Sequence, residues 1–178
     1  MAEDPFAILG LPRSYRIERA AVQRAYLERA ANVHPDFARS AAGSAGPIDD
    51  AAASLNRAKE TLENPELRAH TLLCLIAAEA GIPFQPADDR ALPPGFLAQM
   101  METREQIEAD RAAGHTAKLA AWERWAEERR AAHQRKVGEL FEPDAGRPTP
   151  ASLRAIKMEL NAWRYIERMI EQLDQPAD

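Results

Sequence analysis

A proline-rich stretch cuts this chain in two. Between Gly81 and Gly95 lie Pro83, Pro86, Pro93 and Pro94. Proline fixes its own φ and has no N–H to give a helix, so this stretch reads as a stiff, non-helical linker. Both sides of it are helical in character. Ala, Leu, Glu and Arg abound, and these are good helix formers. No stretch shows the sustained Val, Ile and Thr alternation of a half-buried strand. The expectation is an all-α chain with one unit over 1–80, a linker over 81–95 and a second unit over 96–178.

The first half carries its own punctuation. Asp4 can cap a short helix with Pro5 at its tolerated first position, and Gly10 can stop it. A second helix is expected from about Ile17 to Val33, with Ile17, Ala20, Ala21, Val22, Ala25, Tyr26 and Ala30 on a face of small residues. Pro35 ends it and biases His34 toward extended geometry. Ser40, Gly43, Ser44, Gly46 and Pro47 mark residues 37–47 as a loop. A third helix over about Asp49 to Glu63 places Leu55, Ala58 and Leu62 at helical spacing. Helices two and three would form an antiparallel hairpin. Asn64-Pro65 then reads as cap and first-turn proline of a fourth helix, which ends near Gly81.

The second half shows three amphipathic patterns. The first, about Phe96 to Ala113, carries Phe96, Leu97, Met100, Met101 and Ile107 and ends at Gly114. The second, about Thr116 to Phe141, carries Leu119, Trp122, Trp125, Ala126, Val137 and Leu140. After a turn-rich loop, Thr149-Pro150 opens the third. Its apolar stripe runs Leu153, Ile156, Leu160, Trp163, Ile166, Ile170 and Leu173. Three such helices with short connections favour a three-helix bundle.

Charge and composition exclude several functions. A net charge of −5 argues against a general nucleic-acid binder. A single cysteine excludes an internal disulfide and a cysteine-only zinc site. Cys74, within Leu72-Leu73-Cys74-Leu75-Ile76, reads as a reduced core thiol. That apolar run is far too short to cross a bilayer, and Glu3 and Asp4 do not suit a secretion signal, so cytoplasmic residence is expected. His70, His115 and His133 share no ligand spacing, and no metal or other cofactor is expected. No Ser/His/Asp or Cys/His arrangement and no phosphate-binding glycine loop is present, so the chain is not expected to be an enzyme.

The tripeptide His34-Pro35-Asp36 displays an imidazole and a carboxylate beside a rigid ring, an arrangement suited to docking. Its surroundings are more telling. Upstream stand Asp4-Pro5-Phe6-Ala7-Ile8-Leu9-Gly10-Leu11 and Ala25-Tyr26-Leu27; downstream stand Leu55-Asn56-Arg57-Ala58-Lys59-Glu60-Thr61-Leu62 and Asn64-Pro65-Glu66-Leu67-Arg68-Ala69. Together, over about residues 4–76, they resemble a J-domain, the module by which co-chaperones engage DnaK-class ATPase chaperones. The resemblance implies that His34, Pro35 and Asp36 engage such a chaperone and stimulate its ATP hydrolysis, with Arg24 and Arg29 on a supporting basic face. The sequence departs from the family pattern at that face. Leu27 and Glu28 stand where many J-domains carry Lys or Arg, Arg29 holds an often apolar position, and Phe37 replaces the lysine after the tripeptide.

A J-domain followed by a three-helix domain resembles the HscB-type co-chaperones of iron–sulfur cluster assembly. Gly95-Phe96-Leu97-Ala98-Gln99-Met100-Met101-Glu102-Thr103-Arg104-Glu105 and Trp163-Arg164-Tyr165-Ile166-Glu167-Arg168-Met169 are similar to segments of that family. The resemblance implies two partners, a DnaK-class chaperone of the HscA-like kind and an iron–sulfur cluster scaffold protein. It assigns scaffold binding to Leu97, Ala98, Met101, Glu102, Glu105 and Tyr165. Ala98 is smaller than the usual residue there. Two alternatives keep less of it: a J-domain adaptor for another client, and a degenerate J-like structural scaffold.

Overall fold

The computed structural model describes residues 3–33, 46–84, 89–142 and 148–174. Among them it holds seven helices and no strand: α1 (Pro5–Leu9), α2 (Arg19–Val33), α3 (Gly46–Glu63), α4 (Pro65–Glu79), α5 (Phe96–Ala112), α6 (Thr116–Phe141) and α7 (Pro150–Asp174). They fall into two compact units, Met1–Ile76 and Ala77–Asp178, with the division inside α4. The all-α reading is right, and the helix bounds differ from the expected ones by only a few residues.

Local chemistry sets the ends of α1. The Asp4 carboxylate accepts from the Phe6 and Ala7 amides at 2.9 and 3.4 Å, and also from Arg13 Nε at 2.9 Å. Gly10 closes the helix at φ 67°, a left-handed conformation that costs a side-chain-bearing residue about 1–2 kcal/mol. Absence of a side chain matters twice at this glycine. A Cβ there would lie 2.1 Å from Nη2 of Arg29, whose guanidinium from α2 lies across the turn.

α2 and α3 form the expected antiparallel hairpin. Near one end Gln23 Nε2 donates to Glu63 Oε1 at 3.0 Å; further along, the Tyr26 hydroxyl donates to Asn56 Oδ1 at 2.7 Å. Phe6, Leu9, Val22, Leu55, Ala58 and Leu62 are buried. The small-residue face of α2 is narrower than expected. Val22 is buried, Ala21, Ala25, Tyr26 and Ala30 are half-buried, and Ala20 faces solvent.

Asn64 caps α4 as anticipated, its Oδ1 accepting from the Glu66 and Leu67 amides at 2.9 and 3.1 Å. Arg68, one turn on, is buried. Its Nη1 donates to the Leu62 carbonyl, and its guanidinium carbon sits 5.3 Å from the centroid of the Tyr15 ring. Burial pushes the Tyr15 phenol up and the Arg68 guanidinium down from their ordinary pKa values, with their mutual attraction opposing both shifts.

Cys74 corrects the sequence reading. It is exposed, not a core thiol. Ala69, Leu72, Leu73 and Ala77 form the buried stripe of α4. At about 3.6 residues per turn, the residue following Leu73 is carried round away from that stripe. The apolar run is wider than the face available to bury it.

In the second unit α5, α6 and α7 form the expected bundle. Met100 and Ile107 from α5 join Ile166 and Met169 from α7 in one cluster, with Phe96, Trp122, Trp125, Tyr165 and Ile170 packed on it. Leu153, Ile156, Leu160, Trp163 and Ile166 are buried along α7, so most of the predicted stripe is core. The side chain of Leu173 lies outside the described residues.

Polar side chains set the register. Arg130 of α6 grips Glu167 of α7 with two nitrogens, Nε at 2.8 and 3.0 Å and Nη2 at 2.7 Å, while Trp163 Nε1 donates to Glu167 Oε1 at 2.6 Å. Burial raises the Glu167 carboxyl, but the Arg130 fork and the Trp163 indole outweigh it and leave it below the usual range. At the α5–α6 turn Asp110 accepts from Lys118 Nζ at 2.8 Å and Trp122 Nε1 at 3.0 Å, and meets His115 Nδ1 at 3.1 Å. These bonds, Lys118's foremost, hold the Asp110 carboxyl far below its ordinary pKa.

Candidate partner-binding surfaces

The exposed side of α2 carries Arg19, Gln23, Arg24, Leu27, Glu28 and Ala31. Arg19 and Gln23 are engaged with Glu63. Arg24 has no ion-pair partner among the described residues. Leu27, one turn on, is 62% exposed, the most exposed large apolar side chain among those described. Arg29 also contacts solvent, but its guanidinium is drawn over Gly10 and the end of α1. Arg24 and Arg29 therefore have different surroundings. His34, Pro35 and Asp36 lie outside the described residues.

The other surface is on α5. Packing places Met100, Thr103 and Ile107 inward. Helical rotation then puts Leu97 and Met101, four residues apart, on the outer side. Leu97 is 49% and Met101 55% exposed. Ala98, Glu102 and Glu105 are also exposed, so the apolar pair is edged by two carboxylates. Neither carboxylate carries a burial cost in this position.

Tyr165 reaches this region from α7. It is half-buried, and its ring meets that of Phe96 edge-on, with centroids 5.7 Å apart and planes at 86°. Phe96 immediately precedes Leu97. The ring contact thus links Tyr165 to the first turn of α5, which also carries Leu97 and Ala98.

Sequence reasoning missed what stands behind that link. His133 of α6 meets Glu159 of α7 at 2.6 Å, and its ring lies edge-on to Phe96 with centroids 6.1 Å apart. The pair is 26 residues apart in sequence and on different helices, so no spacing rule could have found it. Among the described residues no group of three His, Cys, Asp or Glu could hold a metal ion. None of the helices they form is long and apolar enough to cross a membrane.

Comparison with known proteins identifies the family. The chain is 32% identical to the co-chaperone protein HscB homolog of Bordetella avium over 173 residues, spanning 97% of this chain and 96% of that one. The chain belongs to the HscB co-chaperone family. The family described as the HSCB C-terminal oligomerisation domain matches residues 92–174, which take in α5, α6 and α7. The fold is also that of HscB. Chaperone HscB from Vibrio cholerae aligns with a TM-score of 0.71 at 22% identity, covering 97% of this chain and 96% of that one. Human co-chaperone protein HscB aligns with a TM-score of 0.70 at 25% identity, covering 97% and 81%. The HscB architecture, a J-domain hairpin followed by a three-helix bundle, therefore extends over nearly the whole chain.

Proposed function

We propose that this HscB-family co-chaperone stimulates the ATPase of a DnaK-class, HscA-like chaperone and delivers to it an iron–sulfur cluster scaffold protein. His34, Pro35 and Asp36 act on the chaperone, with Arg24 and Arg29 alongside. Asp36 offers a carboxylate to a cation on the chaperone, and the His34-Pro35 pair offers a rigid surface that loses little entropy on docking. The ATP site belongs to the chaperone. This chain acts by binding, in the cytoplasm, and without a cofactor of its own.

Leu97, Ala98, Met101, Glu102, Glu105 and Tyr165 hold the scaffold. The observation that carries this reading is the split along α5. Met100 is 1% and Ile107 3% exposed, while Leu97 and Met101, in the same helix, are about half exposed. Large apolar side chains left in water beside a well-filled core suit a contact with something outside the bundle. A flexible methionine edged by carboxylates suits an adaptable polar-rimmed interface.

Two variants test the two halves separately. His34→Gln should abolish ATPase stimulation and retain scaffold binding. Replacing Leu97, Met101 and Tyr165 together with Ala should abolish scaffold binding and retain stimulation. Steady-state ATP turnover and calorimetry read these out, with circular dichroism as a control. Normal stimulation by the His34 variant would overturn the J-domain role. A wild-type chain that binds no cluster scaffold would leave a J-domain adaptor for another client.

A further inference from the structure

We propose that Asn161 is a positioning residue for the scaffold-docking face, an inference that rests on the reading of that face given above. The end of the proline-rich segment is strapped to the bundle. Asn161 Nδ2 on α7 donates to the Asp89 carbonyl at 3.0 Å and to the Ala91 carbonyl at 2.9 Å. A local turn presents those carbonyls, in which the Ala91 amide donates to Asp89 Oδ1 at 3.0 Å.

Asn161 holds one end of the strap and Tyr165 holds the other. Tyr165 lies four residues further along α7, on the same side of the helix, and packs against Phe96. Between these two anchors run Pro93, whose carbonyl accepts from the Phe96 amide at 3.0 Å, and Gly95, which turns the chain into α5 at φ 76°. Pro93 and Pro94 remove backbone freedom from the intervening chain. A stiff strap pinned at 89 and 91 therefore fixes where α5 begins. Leu97 is the residue after Phe96, and Met101 is one turn beyond.

The chemistry at 161 is specific. One nitrogen carrying two N–H groups serves two carbonyls. Aspartate has the same shape but cannot donate, and it would set a carboxylate against both carbonyl oxygens. Loss of the two bonds would free the strap and let Leu97 and Met101 sample several positions relative to Tyr165. Binding would then have to order them, which lowers affinity without removing any contacting side chain.

The test uses the full chain and a purified iron–sulfur cluster scaffold protein without its cluster. Asn161→Asp should speed amide hydrogen exchange at Ala91 and Phe96 while leaving that of α6 unchanged. It should weaken scaffold binding about 3- to 10-fold, mainly through faster dissociation, with ATPase stimulation unchanged. Asp89→Ala, in the strap itself, removes the turn and should shift affinity in the same direction without threatening the bundle. Faster exchange with wild-type affinity would overturn the proposal, as would unchanged exchange. If Asn161→Asp melts, Asp89→Ala decides alone, and wild-type binding by it overturns the proposal. A wild-type chain that binds no scaffold removes the reading of the face and this inference with it; a wild-type chain that binds no better than Asn161→Asp removes only the inference.

Discussion

The Tyr26 hydroxyl and the Asn56 carboxamide meet at 2.7 Å, tying α2 to α3 across 30 residues of sequence. Lys59 adds a cation 4.9 Å from the centroid of the same ring. The helices joined here are the ones that bracket residues 34–45, so this contact helps set the separation of the arms on either side of the His34 segment.

Tyr26→Phe removes that hydrogen bond and keeps the ring. Because the bond is exposed, the expected loss is about 0.5–1 kcal/mol in urea unfolding of the full chain. A double-mutant cycle with Asn56→Ala should show most of that loss as coupling between the two positions. Independent effects would mean the bond contributes nothing in solution.

Salt should affect chaperone stimulation in a way that separates Arg24 from Leu27. Arg24→Ala should lower stimulation at low salt and flatten its salt dependence, since exposed charges are screened over about 8–10 Å at ordinary ionic strength. Leu27→Ala removes no charge and should leave the salt dependence of stimulation as it is in the parent. ATP turnover at two ionic strengths distinguishes them. An equal salt response for both variants would contradict the charge role given to Arg24.

Leu97→Ala and Met101→Ala should each weaken scaffold binding by about 1–2 kcal/mol, roughly 5- to 30-fold, if they sit at the centre of the interface. Their Tm values should stay within a degree or two of the parent, because both side chains are about half exposed in the free chain. Met100→Ala is the contrasting control. It empties a site that is 1% exposed, and should cost about 2–4 kcal/mol of stability.

Acid should loosen the second unit through Asp110 and Glu167. Both carboxyls are held below their ordinary range in the folded chain, Asp110 mainly by Lys118 and then by His115 and Trp122. A depressed carboxyl adds stability above its unfolded pKa, about 4, and loses that contribution as pH falls toward the folded value. Asp110→Asn should therefore be less stable than the parent at pH 7, with the gap narrowing below about pH 4. Because Trp122 donates to Asp110, the indole fluorescence of the folded parent should change only toward the acid end of that window, where Asp110 itself takes up a proton. A gap that is constant from pH 7 to pH 3 would rule out this ion cluster as the source.

Gly10→Ala should cost about 1–2 kcal/mol from its left-handed backbone alone. It should also displace the Arg29 guanidinium, which occupies the space a Cβ would need. Thermal melts of Gly10→Ala with and without Arg29→Ala separate the two effects. A smaller loss in the Arg29→Ala background is expected, since only the backbone strain then remains.

What could be read from the sequence divides along one physical line. Signals confined to a few neighbouring residues were legible. Asp4, Pro5 and Gly10 bound α1, Asn64 and Pro65 start α4, and the spacing of Leu153, Ile156, Leu160 and Trp163 marks the inner side of α7. Features that depend on how wide a buried face becomes were not. Ala20 and Cys74 lie in apolar stretches yet reach solvent, because the neighbouring elements cover less of each helix than its sequence would allow. Leu97 and Met101 share a helical pattern with Met100 and Ile107, and only packing separates the outer pair from the inner one. The contacts His133–Glu159 and Asn161–Asp89 join residues that no local pattern relates, so they become visible only when helices meet.

The division of α5 has a consequence for how such a chain can change over time. Its inward residues, Met100, Thr103 and Ile107, carry the cost of folding, while Leu97, Ala98, Met101, Glu102 and Glu105 carry almost none. Mutations at the outer positions leave that inner packing untouched. The small side chain at Ala98 illustrates this freedom, since the helix packs the same inner face whatever stands there. A lineage can therefore vary this outer surface, residue by residue, on a bundle whose stability is not at stake.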